Sequence, residues 1–182
     1  TLKEIEKNIL IKWNRIDILI ANAGDISNKK TNNKSWLINK NFITSKKFID
    51  FFYRYLIKTE GSIILISSIA ALIETKAQIG YTISKKLVNT YGKKLSVKLA
   101  QYNINVNIVA PGNIYFKNGN WFDKLKKDPK IINKYIKDNV PMNKFGSVND
   151  ITCLCLFLGS DESNFLTGQI IAVDGGQSIK FN

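Results

Sequence analysis

The chain has 182 residues, 45% of them hydrophobic and 11% aromatic, which fits one globular domain with a sizeable core and excludes a disordered or fibrous chain. It carries a formal net charge of +13, no histidine and two cysteines, so His-based triads and His-based acid–base chemistry are excluded, and a zinc site or disulfide framework lacks partners. The positive charge invites a nucleic-acid reading, but only Arg15 and Arg54 are arginine and the lysines are scattered, the pattern of a global bias at exposed positions. No apolar run approaches the roughly 20 residues of a membrane span. The expectation is a soluble cytoplasmic protein with neither nucleic acid nor membrane as partner.

In chain order, Leu2, Ile5, Ile9 and Trp13 have the spacing of an amphipathic helix, and Ile16 to Ile20 reads as a buried strand. A polar connection, Asn28 to Lys34, leads to a long helix from about Ser35 to Lys58 that ends near Gly61. Strand Ile63 to Ile66 follows, then a loop and a helix from about Gln78 to Gln101 with Ile83, Leu87, Tyr91, Leu95 and Leu99 at four-residue intervals. Strand Ile104 to Val109 is stopped by Pro111-Gly112. The polar region Asn113 to Lys144 suggests a mobile flap with short helices near Trp121 to Lys127 and Pro129 to Asp138. A helix from about Val148 to Leu158 contains Cys153 and Cys155, read as buried thiols, and strand Ile170 to Val173 precedes Asp174-Gly175-Gly176.

Alternating helices and short apolar strands without hairpin signals argue for an α/β fold: a doubly wound, three-layer parallel sheet with helices on both faces. Such sheets bind ligands beyond the carboxyl ends of their strands. The residues at those ends are Asn22-Ala23-Gly24, Ser67-Ser68 and Pro111-Gly112-Asn113. Tyr81 and Lys85, at i and i+4 on one helix, share a face. Taken singly these features have plain readings: a snorkelling surface pair for Tyr81 and Lys85, a turn residue for Ser68, a helix-surface amide for Asn41, strand terminators for Gly24 and Pro111-Gly112.

Taken jointly they resemble the short-chain dehydrogenase/reductase family. Ile16 to Gly24 is similar to that family's strand ending in Asn-Asn-Ala-Gly, with Ala21 in place of the first Asn. Gly61 to Ser68 is similar to its serine-bearing strand, Tyr81-Thr82-Ile83-Ser84-Lys85 to its Tyr-x-x-x-Lys motif, and Ile104 to Gly112 to its strand ending in Pro-Gly. Leu166 to Gln169 and Val173 to Gly176 resemble its carboxy-terminal signature. The resemblance implies a Rossmann-type fold and hydride exchange between NAD or NADP and a carbonyl/secondary-alcohol pair. It also implies catalytic roles for Asn41, Ser68, Tyr81 and Lys85. Tyr81 would pass the proton, Ser68 orient the substrate oxygen, Lys85 stabilise the anion and bind ribose hydroxyls, and Asn41 hold a water joining Lys85 to solvent. A free tyrosine titrates near ~10, so work near neutrality requires roughly 4 kcal/mol in favour of the phenolate.

The same resemblance places Asn22, Ala23 and Gly24 on the adenosine side of the cofactor cleft, and Pro111, Gly112 and Ile114 beside the nicotinamide. It implies a homo-oligomer, dimer or tetramer. The motif wording is nearest to 3-oxoacyl-[acyl-carrier-protein] reductases, so a small-molecule or acyl-carrier-bound carbonyl is the expected substrate. Nothing upstream of Ile16 matches the family's opening strand, Gly-rich turn and helix. Residues 1–182 are therefore expected to be a single domain, the carboxy-terminal two-thirds of the fold without its first three strands, with 113–144 as the substrate loop. The residue that separates NAD from NADP would fall outside it. The competing expectation is an inactive fragment or pseudo-enzyme with only an assembly role.

Overall fold

Each apolar run of the sequence becomes one strand of a parallel sheet, because a run without polar alternation is stable only where helices cover both faces. The structure, a computed structural model, describes residues 1–26 and 34–180. Most of the connection expected at Asn28 to Lys34 lies outside the described residues. Helix α1 (Leu2–Trp13) opens with a capping box in which Thr1 and Glu4 satisfy each other's backbone N–H groups. Strand β1 (Ile18–Ala21) follows, then α2 (Lys34–Ile38), a π-helical turn (Asn39–Ile43) and α3 (Thr44–Leu56). Next come β2 (Ser62–Ile66), α4 (Ile79–Leu99), β3 (Asn105–Pro111) and β4 (Ile114–Tyr115). The chain continues through α5 (Asn120–Lys127), α6 (Pro129–Asn139), β5 (Gly146–Ser147), α7 (Val148–Leu158) and β6 (Ile170–Val173).

The main sheet has the order β1-β2-β3-β6, parallel throughout, with Ile20 opposite Ile64, Ile64 opposite Asn107 and Ala110 opposite Ala172. Alternate residues divide between two cores. Leu19, Ile63, Leu65, Val106 and Ile108 meet the inward faces of α3 and α4, including Phe52, Val88 and Leu99. On the other face Ile64 and Val109 meet Leu158 of α7, flanked by Ile151, Leu154 and Ile171. This is the expected three-layer arrangement. Asn107, buried in β3, donates to Leu166 O at 2.7 Å and accepts from Gln169 N at 3.1 Å, while Thr167 Oγ1 accepts from Val106 N. The Leu166 to Gln169 signature thus seats β6 against β3.

Several boundaries differ from expectation. The single helix expected from Ser35 to Lys58 is interrupted by the π-helical turn, which brings buried Asn41 inward. β3 runs through Pro111, whose missing N–H costs nothing there because Gly112 N makes the next bond, to Val173 O at 3.0 Å. Cys153 is exposed and Cys155 half-buried, against the expectation of buried thiols, because α7 is apolar all round and only one of its sides reaches the sheet.

The segment expected to be a flap with short helices near Trp121 to Lys127 and Pro129 to Asp138 carries them as α5 and α6. β4 pairs with β5 and closes its base. Inside it Trp121 stacks on Tyr135 at 5.4 Å and meets Phe145 at 5.5 Å, and Phe145 meets Tyr115 at 5.8 Å. Asn113 Nδ2 donates to Gln177 Oε1 at 2.7 Å and Gln177 Nε2 to the Tyr135 hydroxyl, so the flap is fastened to the segment after β6.

Candidate active site

The carboxyl end of β2 and the first turns of α4 build the centre of the site. After Ile66 the chain turns through buried Ser67, whose hydroxyl donates to Lys85 O. Ser68 follows in extended backbone and caps a short 3₁₀ turn, its Oγ accepting from Ala70 N at 3.2 Å. In α4, Gly80 lets the helix lie close on α2, since a Cβ there would sit 3.0 Å from Lys34 Cα. That seating delivers Tyr81 and Lys85 from one helix face to the end of β2.

Lys85 is only 5% exposed. Its ammonium donates to Ile66 O at 2.8 Å and lies 5.7 Å from the centre of the Tyr81 ring. Burial pulls Lys85 down to about 8, because an ammonium loses solvation there. The Tyr81 phenol is pushed up, by burial first, with a side-chain hydrogen bond from Ser68 opposing it. The depressed phenol that the family resemblance implies draws on the nicotinamide's charge as well as on Lys85; in the ligand-free chain Lys85 points its ammonium at the Ile66 carbonyl, and burial holds Tyr81 protonated. The phenol hydrogen-bonded by Ser68 thus lies beside a buried ammonium.

Asn41 enters from the π-helical turn, 1% exposed. Its Nδ2 donates to Asp25 O and Leu37 O, and its Oδ1 accepts from Asp25 N, all at 2.9 Å. The side chain therefore fastens the turn after β1 to the start of α3. A Cβ on Gly24 would come 2.4 Å from Asn41 Oδ1 and 3.7 Å from Lys85 Nζ, so Gly24, Asn41 and Lys85 converge, and only glycine fits between them. Asn22, Ala23 and Gly24 are exposed at the carboxyl end of β1. Pro111 and Gly112 end β3 against β6, with a Gly112 Cβ only 2.6 Å from Asp174 Cβ, and Ile114 opens the flap. These three flank the site across the end of β3.

Sequence reading named Ser67 and Asp174 without their roles and passed over Asp25. Ser67 ties Lys85 to β2, Asp25 is the backbone partner of Asn41, and Asp174 organises the turn after β6 by accepting from Gly176 N and Ser178 N. The Ser-Ser doublet and the Asp-Gly-Gly run were the available signals. The donor set suits a dinucleotide: Lys85 uses one ammonium hydrogen on Ile66 O, leaving donors for vicinal hydroxyls, beside an exposed loop at the carboxyl ends of parallel strands. Among the described residues no cluster of His, Cys, Asp or Glu could hold a metal.

The fold and this arrangement define a doubly wound α/β protein in which Ser68, Tyr81 and Lys85 meet at the carboxyl end of β2. Residues 1–178 match the family model described as enoyl-(acyl carrier protein) reductase. The chain is 33% identical over 184 residues to the 3-oxoacyl-[acyl-carrier-protein] reductase of Thermotoga maritima, covering 98% of this chain and 72% of that protein. Among solved structures it superposes on ElxO with NADP bound at a TM-score of 0.86 and 28% identity, covering 98% of this chain and 74% of that one. The aldohexose dehydrogenase of Thermoplasma acidophilum gives 0.86 and 28%, covering 99% and 74%. The chain belongs to the short-chain dehydrogenase/reductase family, and so to the NAD- or NADP-dependent oxidoreductases.

Proposed function

We propose that the chain reduces the carbonyl of a 3-oxoacyl thioester to the secondary alcohol, with Ser68, Tyr81 and Lys85 as catalytic residues and Asn41 as a positioning residue. The observation that carries this is the neutral Tyr81 phenol hydrogen-bonded to Ser68 beside the buried Lys85 ammonium. A bound reduced nicotinamide would supply the hydride to the carbonyl carbon. Ser68 holds the carbonyl oxygen, Tyr81 gives that oxygen its proton, and Lys85 stabilises the phenolate that remains. Lys85 and the Asn22-Ala23-Gly24 turn would hold the ribose and adenosine sides of the dinucleotide, with Pro111, Gly112 and Ile114 beside its nicotinamide.

Two features support an acyl substrate. The relatives named above include a 3-oxoacyl-[acyl-carrier-protein] reductase. Exposed Ile26, Leu72, Phe116 and Met142 come from four segments beyond the carboxyl ends of the strands or at the base of the flap, and they offer apolar surface to an acyl chain. Residues 113–144 are the substrate loop in this reading. A homo-oligomer is also part of it, with exposed Ile83 and Val97 on α4 available to a second copy. The test is consumption of NADH and NADPH by this chain with a 3-oxoacyl thioester or an enoyl thioester, and formation of NADH or NADPH from the oxidised cofactors with an aldohexose. Oxidation of the reduced cofactor only with the 3-oxoacyl compound is expected; turnover of either other substrate in its place overturns the assignment.

A further inference from the structure

A cavity of about 440 Å³ opens on the flap between the end of α6 and the approach to β5, lined by Asn133, Ile136, Lys137, Asn143, Lys144 and Phe145. We propose that it is a subsite for the arm of the substrate, a chain bearing one phosphodiester and two amides of the phosphopantetheine type. The inference rests on the thioester reading above. Its volume lies in the range of small-ligand sites. Two ammonium groups, two amide side chains and two apolar walls match the three kinds of group along such an arm.

The charge is available. Among the described residues neither Lys137 nor Lys144 pairs with a carboxylate within 4.0 Å. Asp150 accepts from the N–H and hydroxyl of Ser147, which with Lys144 hold its carboxyl below the usual range, and it makes no ion pair with Lys144 within 4.0 Å. Asp128 is spent on the N-cap of α6. Asp138 follows Lys137 but faces solvent, where its attraction is screened, and Lys180 donates to its carbonyl. The location fits as well. Phe145 joins the cavity to Tyr115, the residue that ends β4, and β4 begins three residues after β3 ends. The same end of the sheet carries Ser68 and Tyr81. A nucleic acid would need a longer basic track than this pair of exposed lysines.

Calorimetric titration of the 182-residue chain with 4′-phosphopantetheine and with pantetheine tests the site without any turnover. The phosphorylated arm is expected to bind about tenfold more tightly, equivalent to one charge-assisted contact. That margin should vanish in a Lys137→Glu, Lys144→Glu double variant and, should that variant fail to fold, in Lys137→Gln with Lys144→Gln. Equal binding of the two compounds, or a margin untouched by the folded variants, overturns the proposal, as does a preference for a duplex oligonucleotide. The source of the arm is read from kinetics. If a carrier protein bears it, reversing Lys130 and Lys134 on the adjoining face of α6 raises the KM of the carrier-borne thioester alone; if it comes from coenzyme A, that thioester is unaffected by those changes and weakened by the lysine pair. Lysine-dependent binding of the arm without reduction of any 3-oxoacyl thioester would remove the proposed reaction and leave the subsite standing.

Discussion

Lys85 holds a charge where burial opposes it, and that opposition has a sign that can be measured. Its ammonium is pulled from 10.5 to about 8 by burial, so between those values the unfolded chain binds the proton and the folded chain does not. Stability therefore rises with pH across that window and carries its full penalty below about 8. The penalty is about 3 kcal/mol, partly offset by the bond to Ile66 O, worth about 1.5 kcal/mol. Lys85→Met is expected to melt higher than the parent at pH 7 and to lose this advantage by about pH 10.5, while its reductase activity is gone. A parent that melts higher than the variant at pH 7 would show that Lys85 stabilises the fold instead. For the parent enzyme, kcat/KM for reduction should fall above about pH 8 as the ammonium discharges. Tyr81 has the reverse character: burial favours its protonated form, which suits donation to a carbonyl better than removal of a proton from an alcohol. Tyr81→Phe should cost about 10²- to 10⁴-fold in kcat with an unchanged circular dichroism spectrum, and a loss confined to KM would assign Tyr81 to binding.

At the level of elements, the π-helical turn ahead of α3 and the glycine in α4 set the geometry. The turn admits Asn41, and its three side-chain hydrogen bonds to Asp25 and Leu37 hold the loop after β1. Asn41→Ala removes all three bonds, the one to the Leu37 carbonyl buried, and should lower unfolding free energy in urea by about 2 to 4 kcal/mol. Dinucleotide affinity should fall with it, because Gly24 loses the wall it leans on; unchanged affinity would separate Asn41 from the cofactor loop. Gly92 is where α4 crosses the sheet: a Cβ there would lie 2.7 Å from Ile108 Cγ1 and 3.1 Å from Leu65 Cδ1. Gly92→Ala gains helix propensity of about 1 kcal/mol, but overpacking a closed core costs about 1 to 3 kcal/mol, so a net loss is expected in thermal melting. The meeting of Tyr81, Lys85 and Ser68 at one strand end was legible through the joint resemblance of their motifs to the family, since the spacing of each alone has a plain reading. The π-turn was not, since Ser35 to Lys58 has unbroken helical periodicity and the interruption follows from packing Asn41 against Asp25. β4 and β5, two residues each, are too short for any period to show. The exposure of Cys153 was hidden by an α7 whose apolar residues mark no single face.

At the scale of the whole molecule, the described sheet ends in β1, which pairs only with β2 and leaves its other edge open. Leu19 and Ala21 are buried beneath α3, whereas Ile18 and Ile20 are 43% and 46% exposed on the opposite face, the side on which Leu156 and Phe157 of α7 are also exposed. An apolar strand with free N–H and C=O groups is a template for another chain. In the 182-residue chain, pairing of β1 with the far edge, β6, of a second copy is heterologous and does not close, so it grows with concentration, whereas association through helix faces in a symmetric oligomer stops at a fixed stoichiometry. The two can be told apart by one substitution. Ile20→Lys places a charge on the exposed face of the edge, where it points to solvent and should change the melting temperature little. Sedimentation velocity over a range of concentrations should show the parent forming progressively larger species and the variant holding one discrete size. Progressive growth that persists in Ile20→Lys would locate the sticky surface elsewhere, with the exposed side of α7, at Leu156 and Phe157, as the next face to charge.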